Sequence, residues 1–128
     1  MEQLTIGQVA ERTGLSAHTL RYYEREGLFA NPIRRAAGGR RVYTEEDVEW
    51  LTVCTILRGA DMPLLELRRY TELVRAGDDT VAERLDLLRR HQERIHARRA
   101  QLDRCSDLIG FKIGVYEDVL DELEPRGA

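Results

Sequence analysis

Lysine is nearly missing from this chain: of its twenty basic residues only Lys112 is a lysine, and the other nineteen are arginines. Genome composition produces such a bias as readily as function does, so it carries little weight alone. Cysteine is scarce too. Cys54 and Cys105 are too few for a disulfide scaffold and fall in helical patterns, which fits a reduced, cytoplasmic protein. No apolar run approaches the length needed to span a bilayer, and Met1-Glu2-Gln3 lacks a signal-peptide layout, so no membrane partner is expected. Of the three histidines, His91 and His96 lie five apart on a helical stretch and therefore on different faces. No nucleophile, base or metal cluster emerges from such a set. An enzyme, a metal site and a cofactor are all unexpected.

Charge, by contrast, is abundant. Charged residues make up 34% of the 128, more than a simple globule carries, which suggests long exposed helices attached to one compact domain. The net charge of -3 is unevenly spread: residues 1–43 hold seven arginines against four glutamates, leaving an acidic remainder. A basic head on an acidic body can take a nucleic acid in one orientation.

That head contains two capped helices. Thr5 followed by Gln8 has capping-box spacing, with Leu4 and Val9 as a hydrophobic staple, and the helix they open ends at Gly14. Ser16 then caps a second helix, stapled by Leu15 and Leu20. Leu20 and one of the two tyrosines can turn inward; the remainder of Ser16, Ala17, His18, Thr19, Arg21, Tyr22 and Tyr23 forms a face rich in donors, acceptors and flat rings. Arginine can fork onto guanine edges, threonine can read an edge or a thymine methyl, and tyrosine hydroxyls can reach phosphates. A helix, a glycine turn and a helix with such a face describe a helix-turn-helix whose second member enters a major groove. For the second helix alone, a solvated amphipathic surface is an equally good reading.

After Gly27 and Asn31-Pro32, the stretch from Ile33 to Tyr43 places Arg34-Arg35 and Arg40-Arg41 on either side of Gly38-Gly39, which reads as a hairpin. Four guanidiniums on one small loop repel one another without an anion. The hairpin is expected to be a wing whose Arg40, Arg41 and Tyr43 hold phosphates, with Arg34 and Arg35 as weaker candidates; the plain alternative is a solvated basic loop.

A third helix opens at Thr44 with acids in its first turn and carries Val48, Leu51, Val53, Cys54, Ile56 and Leu57 as its apolar side. A fourth, with Pro63 in its first turn, runs to about Arg75 and is expected to bury Leu64, Leu65, Leu67, Tyr70, Leu73 and Val74. Gly77 ends it. A long helix follows, with Thr80 and Glu83 at capping-box spacing. Val81, Leu88, Ile95, Leu102, Ile109, Tyr116 and Leu123 recur every seventh position, and a second seam runs through Leu85, Gln92, Arg99, Ser106, Ile113 and Leu120. Such a pattern is a coiled coil with a polar middle, in which Gln92, Arg99 and Ser106 fix register. Gly110 and Gly114 are expected to interrupt it, leaving a short terminal helix from Val115 to Leu123. Residues 124–128 read as a disordered tail.

Thr5-Ile6-Gly7-Gln8-Val9-Ala10, Thr13-Gly14-Leu15-Ser16, Thr19-Leu20-Arg21-Tyr22-Tyr23-Glu24, Gly27-Leu28 and Arg41-Val42-Tyr43 together resemble the MerR family of bacterial transcription regulators. The resemblance is dense from Leu4 to about Ala76. It implies a mainly α protein: a winged helix-turn-helix DNA-binding domain with a helical linker over residues 1–76, and over 77–123 a helix that pairs antiparallel with its copy. It further implies a homodimer on a pseudo-palindromic operator in double-stranded promoter DNA, bent and untwisted so that RNA polymerase engages. The family's wing ends in the same Arg-x-Tyr, so Arg41 and Tyr43 carry over. Tyr70-Thr71, Gly77-Asp78, Lys112-Ile113 and Tyr116-Glu117 are closest in pattern to members that answer aldehydes or nitrosative stress, which implies a small effector. The thiol those proteins use aligns with Ile56. Cys54, about 200° around the helix, is then a packing residue, and Cys105 beside Ser106 is the other candidate thiol. Thiols are absent from 76–79 and 109–117, where metal-sensing members carry them, so no soft metal is implied. The rival reading is an architectural, excisionase-like DNA-bending protein without ligand response.

Overall fold

The computed structural model describes residues 3–124. Two compact units are present, Met1–Arg89 and Arg90–Ala128. In the first, α1 (Ile6–Thr13) and α2 (Ala17–Arg25) precede a hairpin of β1 (Arg34–Arg35) and β2 (Arg41–Val42), followed by α3 (Glu45–Gly59) and α4 (Leu64–Ala76). A 3-10 turn over Asp78–Thr80 leads into α5 (Val81–Leu123), which continues into the second unit.

Local chemistry sets these boundaries. Thr5 and Gln8 form the expected capping box, the Thr5 amide donating to Gln8 Oε1 at 2.8 Å and the Gln8 amide to Thr5 Oγ1 at 3.2 Å. Gly14 ends α1 at φ 75°, in the left-handed region that glycine enters without a Cβ penalty. Ser16 accepts from the Thr19 amide at 3.0 Å, and a second box between Thr44 and Asp47 opens α3. Between α2 and the hairpin, Gly27 turns the chain at φ 69° so that the Leu28 amide donates to the Tyr23 carbonyl at 2.9 Å.

The core of the first unit gathers Val9 from α1, Leu20 and Tyr23 from α2, Leu28 and Phe29 from the connection, Leu51 and Cys54 from α3, and Leu67 and Leu73 from α4. Buried apolar surface of this kind contributes roughly 25 cal/mol per Å². Trp50 fastens the centre: its indole Nε1 donates to the Leu28 carbonyl at 2.7 Å while its ring stacks on Tyr70 with centroids 5.8 Å apart. Leu87, near the start of α5, also joins this core. The first unit consequently reaches further along α5 than the boundary expected at residue 76.

Several side chains depart from the helical pattern. Ile56 and Leu65 are 67% and 74% exposed, and Val53 is exposed as well. α3 and α4 each bury one stripe, and an apolar residue off that stripe gains nothing from the core. Thr80 does not form the expected box with Glu83. Its hydroxyl donates to the Leu73 and Gly77 carbonyls and accepts from Arg84 Nε at 3.0 Å, while Glu83 pairs with Arg69. The free carbonyls at the end of α4 compete for that hydroxyl and take it.

The expected interruption at Gly110 and Gly114 is absent, because α5 is one helix of 43 residues. Two glycines cost about 1 kcal/mol each, too little to break a helix whose flanks are long and free of proline. Of the tail expected over 124–128, Glu124 is still tied to the helix, its amide donating to the Leu120 carbonyl at 2.9 Å. Residues 125–128, like Met1 and Glu2, lie outside the described residues.

A Cβ built at Gly110 or Gly114 meets nothing within 4 Å. Gly110→Ala and Gly114→Ala should each stabilise the protein by about 1 kcal/mol, read as a higher melting midpoint in far-ultraviolet circular dichroism. A lowered midpoint would mean that another helix approaches the bare glycine surface.

Candidate nucleic-acid interface

α2 presents two sides. Leu20 and Tyr23 are buried, so Tyr23 is the inward tyrosine and is removed from the outer face. His18 and Arg21 are exposed, and Thr19 and Tyr22 are half-buried, Tyr22 lying against Tyr23 with centroids 6.4 Å apart. Ser16 is committed to its cap and also donates to Thr19 Oγ1 at 3.0 Å. Arg25, one turn beyond Arg21, is exposed on the same helix. The sequence reading passed over it, although an i, i+4 pair of arginines is a usable signal.

The hairpin carries the second basic group. β1 and β2 pair antiparallel, Arg34 opposite Val42 and Arg35 opposite Arg41. The turn closes through the Ala36 amide to the Arg40 carbonyl at 2.8 Å and the Gly39 amide to the Ala36 carbonyl at 3.0 Å. Arg34, Arg35 and Arg40 are exposed, and Arg41 is half-buried. Among the described residues, Arg21, Arg25, Arg34 and Arg40 make no ion pair.

Glu24 of α2 joins the two groups, and the sequence reading missed it. One oxygen accepts from Arg41 Nε at 2.5 Å and the other from Arg35 Nη2 at 3.4 Å. The hydrogen bond to Glu24 holds the Arg41 guanidinium more firmly protonated than usual. The wing and the outer face of α2 are thus tied side by side.

Tyr43 is corrected from phosphate contact to core residue. It is fully buried, its backbone bridges Leu4 through two hydrogen bonds of 2.8 Å, and its ring lies 6.1 Å from Phe29. Its hydroxyl is closed off from solvent and has no hydrogen-bond partner among the described residues, and burial pushes its pKa up. The Arg-x-Tyr spacing, read on an extended strand, puts both side chains on one face; Val42 and Tyr43 are instead both buried where the strand ends in the Leu4 bridge.

The two thiols differ. Cys54 is fully buried and burial pushes its thiol up to about 12, whereas Cys105 is exposed. The described residues hold no group of three or more His, Cys, Asp or Glu placed to bind a metal, and no described helix is long and apolar enough to cross a membrane.

In α5, the residues expected to line a dimer seam are uncovered: Val81, Leu85, Leu102, Ile109, Ile113 and Tyr116 are 45–60% exposed, Leu88 is 36% exposed, and Ile95 is half-buried. Gln92, Arg99 and Ser106, the polar middle, are exposed between them. Leu87 and His91 lie on a different face and are buried.

Comparison with known proteins follows the same outline. A family model described as MerR HTH family regulatory protein matches residues 4–73. An HTH-type transcriptional regulator of Haemophilus influenzae is 37% identical over 113 residues, covering 88% of this chain and 83% of its own. AdhR, an HTH-type transcriptional regulator of Bacillus subtilis, is 41% identical over 92 residues, covering 72% of this chain and 65% of AdhR. Among solved structures, a MerR-family transcriptional regulator of Listeria monocytogenes has a TM-score of 0.87 at 33% identity and covers 94% of each chain. HiNmlR, a MerR family regulator lacking the sensor domain and crystallised on promoter DNA, has a TM-score of 0.82 at 35% identity and covers 91% of this chain and 92% of its own.

Three outcomes are expected from this geometry. Tyr43→Phe removes a buried hydroxyl that lacks a partner, so thermal or urea unfolding should give equal or greater stability, by up to about 1 kcal/mol. A loss of stability would mean that the hydroxyl is bonded. With a thiol pKa of about 12, Cys54 should stay unmodified by iodoacetamide at about pH 8 in the folded protein, and peptide mass mapping should place the label on Cys105 alone. The same raised pKa gives a pH signature. Below the unfolded thiol's pKa both states are protonated; above it the unfolded state loses its proton first, so stability falls as pH climbs from about 9 toward 12.

Proposed function

Because the chain belongs to the MerR family of HTH regulatory proteins, and is a transcriptional regulator by that membership, we propose that it binds double-stranded promoter DNA as a homodimer at a pseudo-palindromic operator. The observation that carries this reading is the pairing, through Glu24, of the wing arginines with the exposed face of α2. His18, Thr19, Arg21 and Tyr22 enter the major groove, and Arg34, Arg40 and Arg41 take the flanking phosphates. Arg25 joins them on the backbone. The head carries the positive charge that a duplex attracts, and the structurally similar HiNmlR is itself bound to promoter DNA, which supports a duplex as the partner.

Two copies pair along α5. Val81, Leu85, Leu88, Ile95, Leu102, Ile109, Ile113 and Tyr116 supply the apolar seam, and Gln92, Arg99 and Ser106 fix its register. Two-fold pairing presents two α2 helices to half-sites a whole number of turns apart. The dimer bends and untwists the promoter, so that RNA polymerase engages both of its elements in response to a small effector or stress signal. Deformation of that size costs on the order of several kcal/mol, which helix and wing contacts together can offset.

The test begins with in vitro selection of duplexes from a random library by the purified protein, with sedimentation giving the stoichiometry. On a selected duplex, Arg21→Ala should lose about 1–3 kcal/mol and its base preference. Arg41→Ala should weaken selected and scrambled duplexes alike and lower the salt slope by about 1 per protomer. A protomer that stays single on DNA, or equal salt slopes for wild type and Arg41→Ala, would overturn the respective assignment. Transcription from a promoter carrying the selected site separates a regulator from a protein that only bends DNA.

A further inference from the structure

The wing is electrostatically unstable as built. Arg35 and Arg41 sit directly opposite each other in the β1–β2 register, a like-charge pair across a ladder of two residues per strand. Opposed like charges destabilise a strand pair, and a ladder so short cannot hold its own position in water. Gly38 and Gly39, both at positive φ, make its turn but add no side chain to pack. An anion is required between the two guanidiniums.

That anion is Glu24, which comes from the reading helix and not from the wing. Its carboxylate accepts from both arginines, and its pair with Arg41 is about three-quarters shielded on each side, 26% and 27% exposed, so salt screens it less than a surface pair. Arg41 is held through Nε, which leaves both of its Nη nitrogens outside that bond. Arg35 spends Nη1 on the Gly39 carbonyl at 3.0 Å, so the same cluster also fixes the turn. Glu24 follows Arg21 by three residues, hence nearly one turn along the same helix. The offset between the group that reads bases and the group that meets phosphates therefore passes through this one carboxylate.

We propose that Glu24 is a positioning residue for DNA reading: it holds the wing at a set distance from the α2 face and thereby raises discrimination between a fitted and an unfitted duplex. The inference rests on the DNA-binding reading above. A carboxylate on a surface that faces phosphates lowers general attraction to any duplex. Its compensating effect is geometric and is felt only where base edges and phosphates must be met together. Its removal separates the two effects.

The experiment compares wild type with Glu24→Gln, which keeps the shape and removes the charge, on a duplex recovered by in vitro selection and on a scrambled duplex of equal length. Binding to the selected duplex should weaken about tenfold, since a charge-assisted bond is lost, while the scrambled duplex binds as well or better. In the free protein, amide hydrogen exchange at Ala36 and Gly39, whose bonds close the wing turn, should speed up. Equal factors on both duplexes, or wing amides that exchange at wild-type rates, would overturn the proposal. If Glu24→Gln does not fold, Glu24→Asp, with its shorter reach, is measured in the same way against the same outcomes. Failure of the wild type to enrich any duplex would instead defeat the DNA-binding reading, and the exchange comparison would still decide whether Glu24 holds the wing.

Discussion

Two backbone carbonyls at the exit of α2 hold the first unit together. The Leu28 carbonyl accepts from the indole of Trp50 in α3, and the Phe29 carbonyl accepts from the guanidinium of Arg75 in α4. Both residues are buried, and a buried carbonyl without a partner costs about 1–3 kcal/mol. These bonds therefore fix where α2 ends relative to both following helices. Arg68 of α4 adds an ion pair to Glu26, the residue that caps α2. The outer face of α2 can be presented rigidly because its far end is fastened from two directions.

Cations and anions are arranged in the first unit by a consistent rule. Arginines that hold the fold have a partner: Arg12 with Glu45, whose carboxylate is pushed below its usual range by that hydrogen bond, Arg68 with Glu26, and Arg69 with Glu72 and Glu83. Among the described residues, Arg21 and Arg25 of α2 and Arg34 and Arg40 of the wing make no ion pair. Exposed pairs are individually worth little, so the pairing is better understood as a sorting of charge than as a source of stability. Arg58, Arg75 and Arg84 are spent on backbone carbonyls instead, so the exposed charge on α2 and the wing is what a polyanion would meet. The exceptions, Arg35 and Arg41, share one acid from α2.

Much of the first unit was legible in the sequence because its signals are local. The Thr5–Gln8 box, the Ser16 cap, Gly14 and Gly27 each act within one turn, and the structure places them as expected. The hairpin around Gly38-Gly39 was legible for the same reason. What escaped were decisions made at a distance. Whether Tyr43 faces outward depends on its bridge to Leu4, 39 positions earlier in the chain. Which apolar residues of α3 and α4 are left outside depends on the angle at which those helices meet the core, and Ile56 and Leu65 carry no mark of it. Glu24 was invisible because a lone glutamate in a charged helix acquires meaning only beside the wing. The α5 error has another origin: helix propensity is a local penalty, and a long flank outweighs it.

On the proposed dimer reading, the exposed seam of α5 supports that continuity as well. Heptad positions from Val81 to Tyr116 recur on one side of a single helix about 65 Å long at ~1.5 Å per residue. Leucines and isoleucines left uncovered over that length are unfavourable in water, which supports the proposed pairing of two copies. In the proposed dimer a second copy would supply the same stripe in reverse order, apolar at both ends and polar through Gln92, Arg99 and Ser106, so that antiparallel pairing would set apolar against apolar and polar against polar. Parallel pairing would do likewise by register, yet it would bring together the N-terminal ends of both α5 helices and with them two copies of the basic residues 1–43, whose like charges oppose each other. The proposed antiparallel pairing would set those ends apart, so the uneven charge of the sequence favours that orientation.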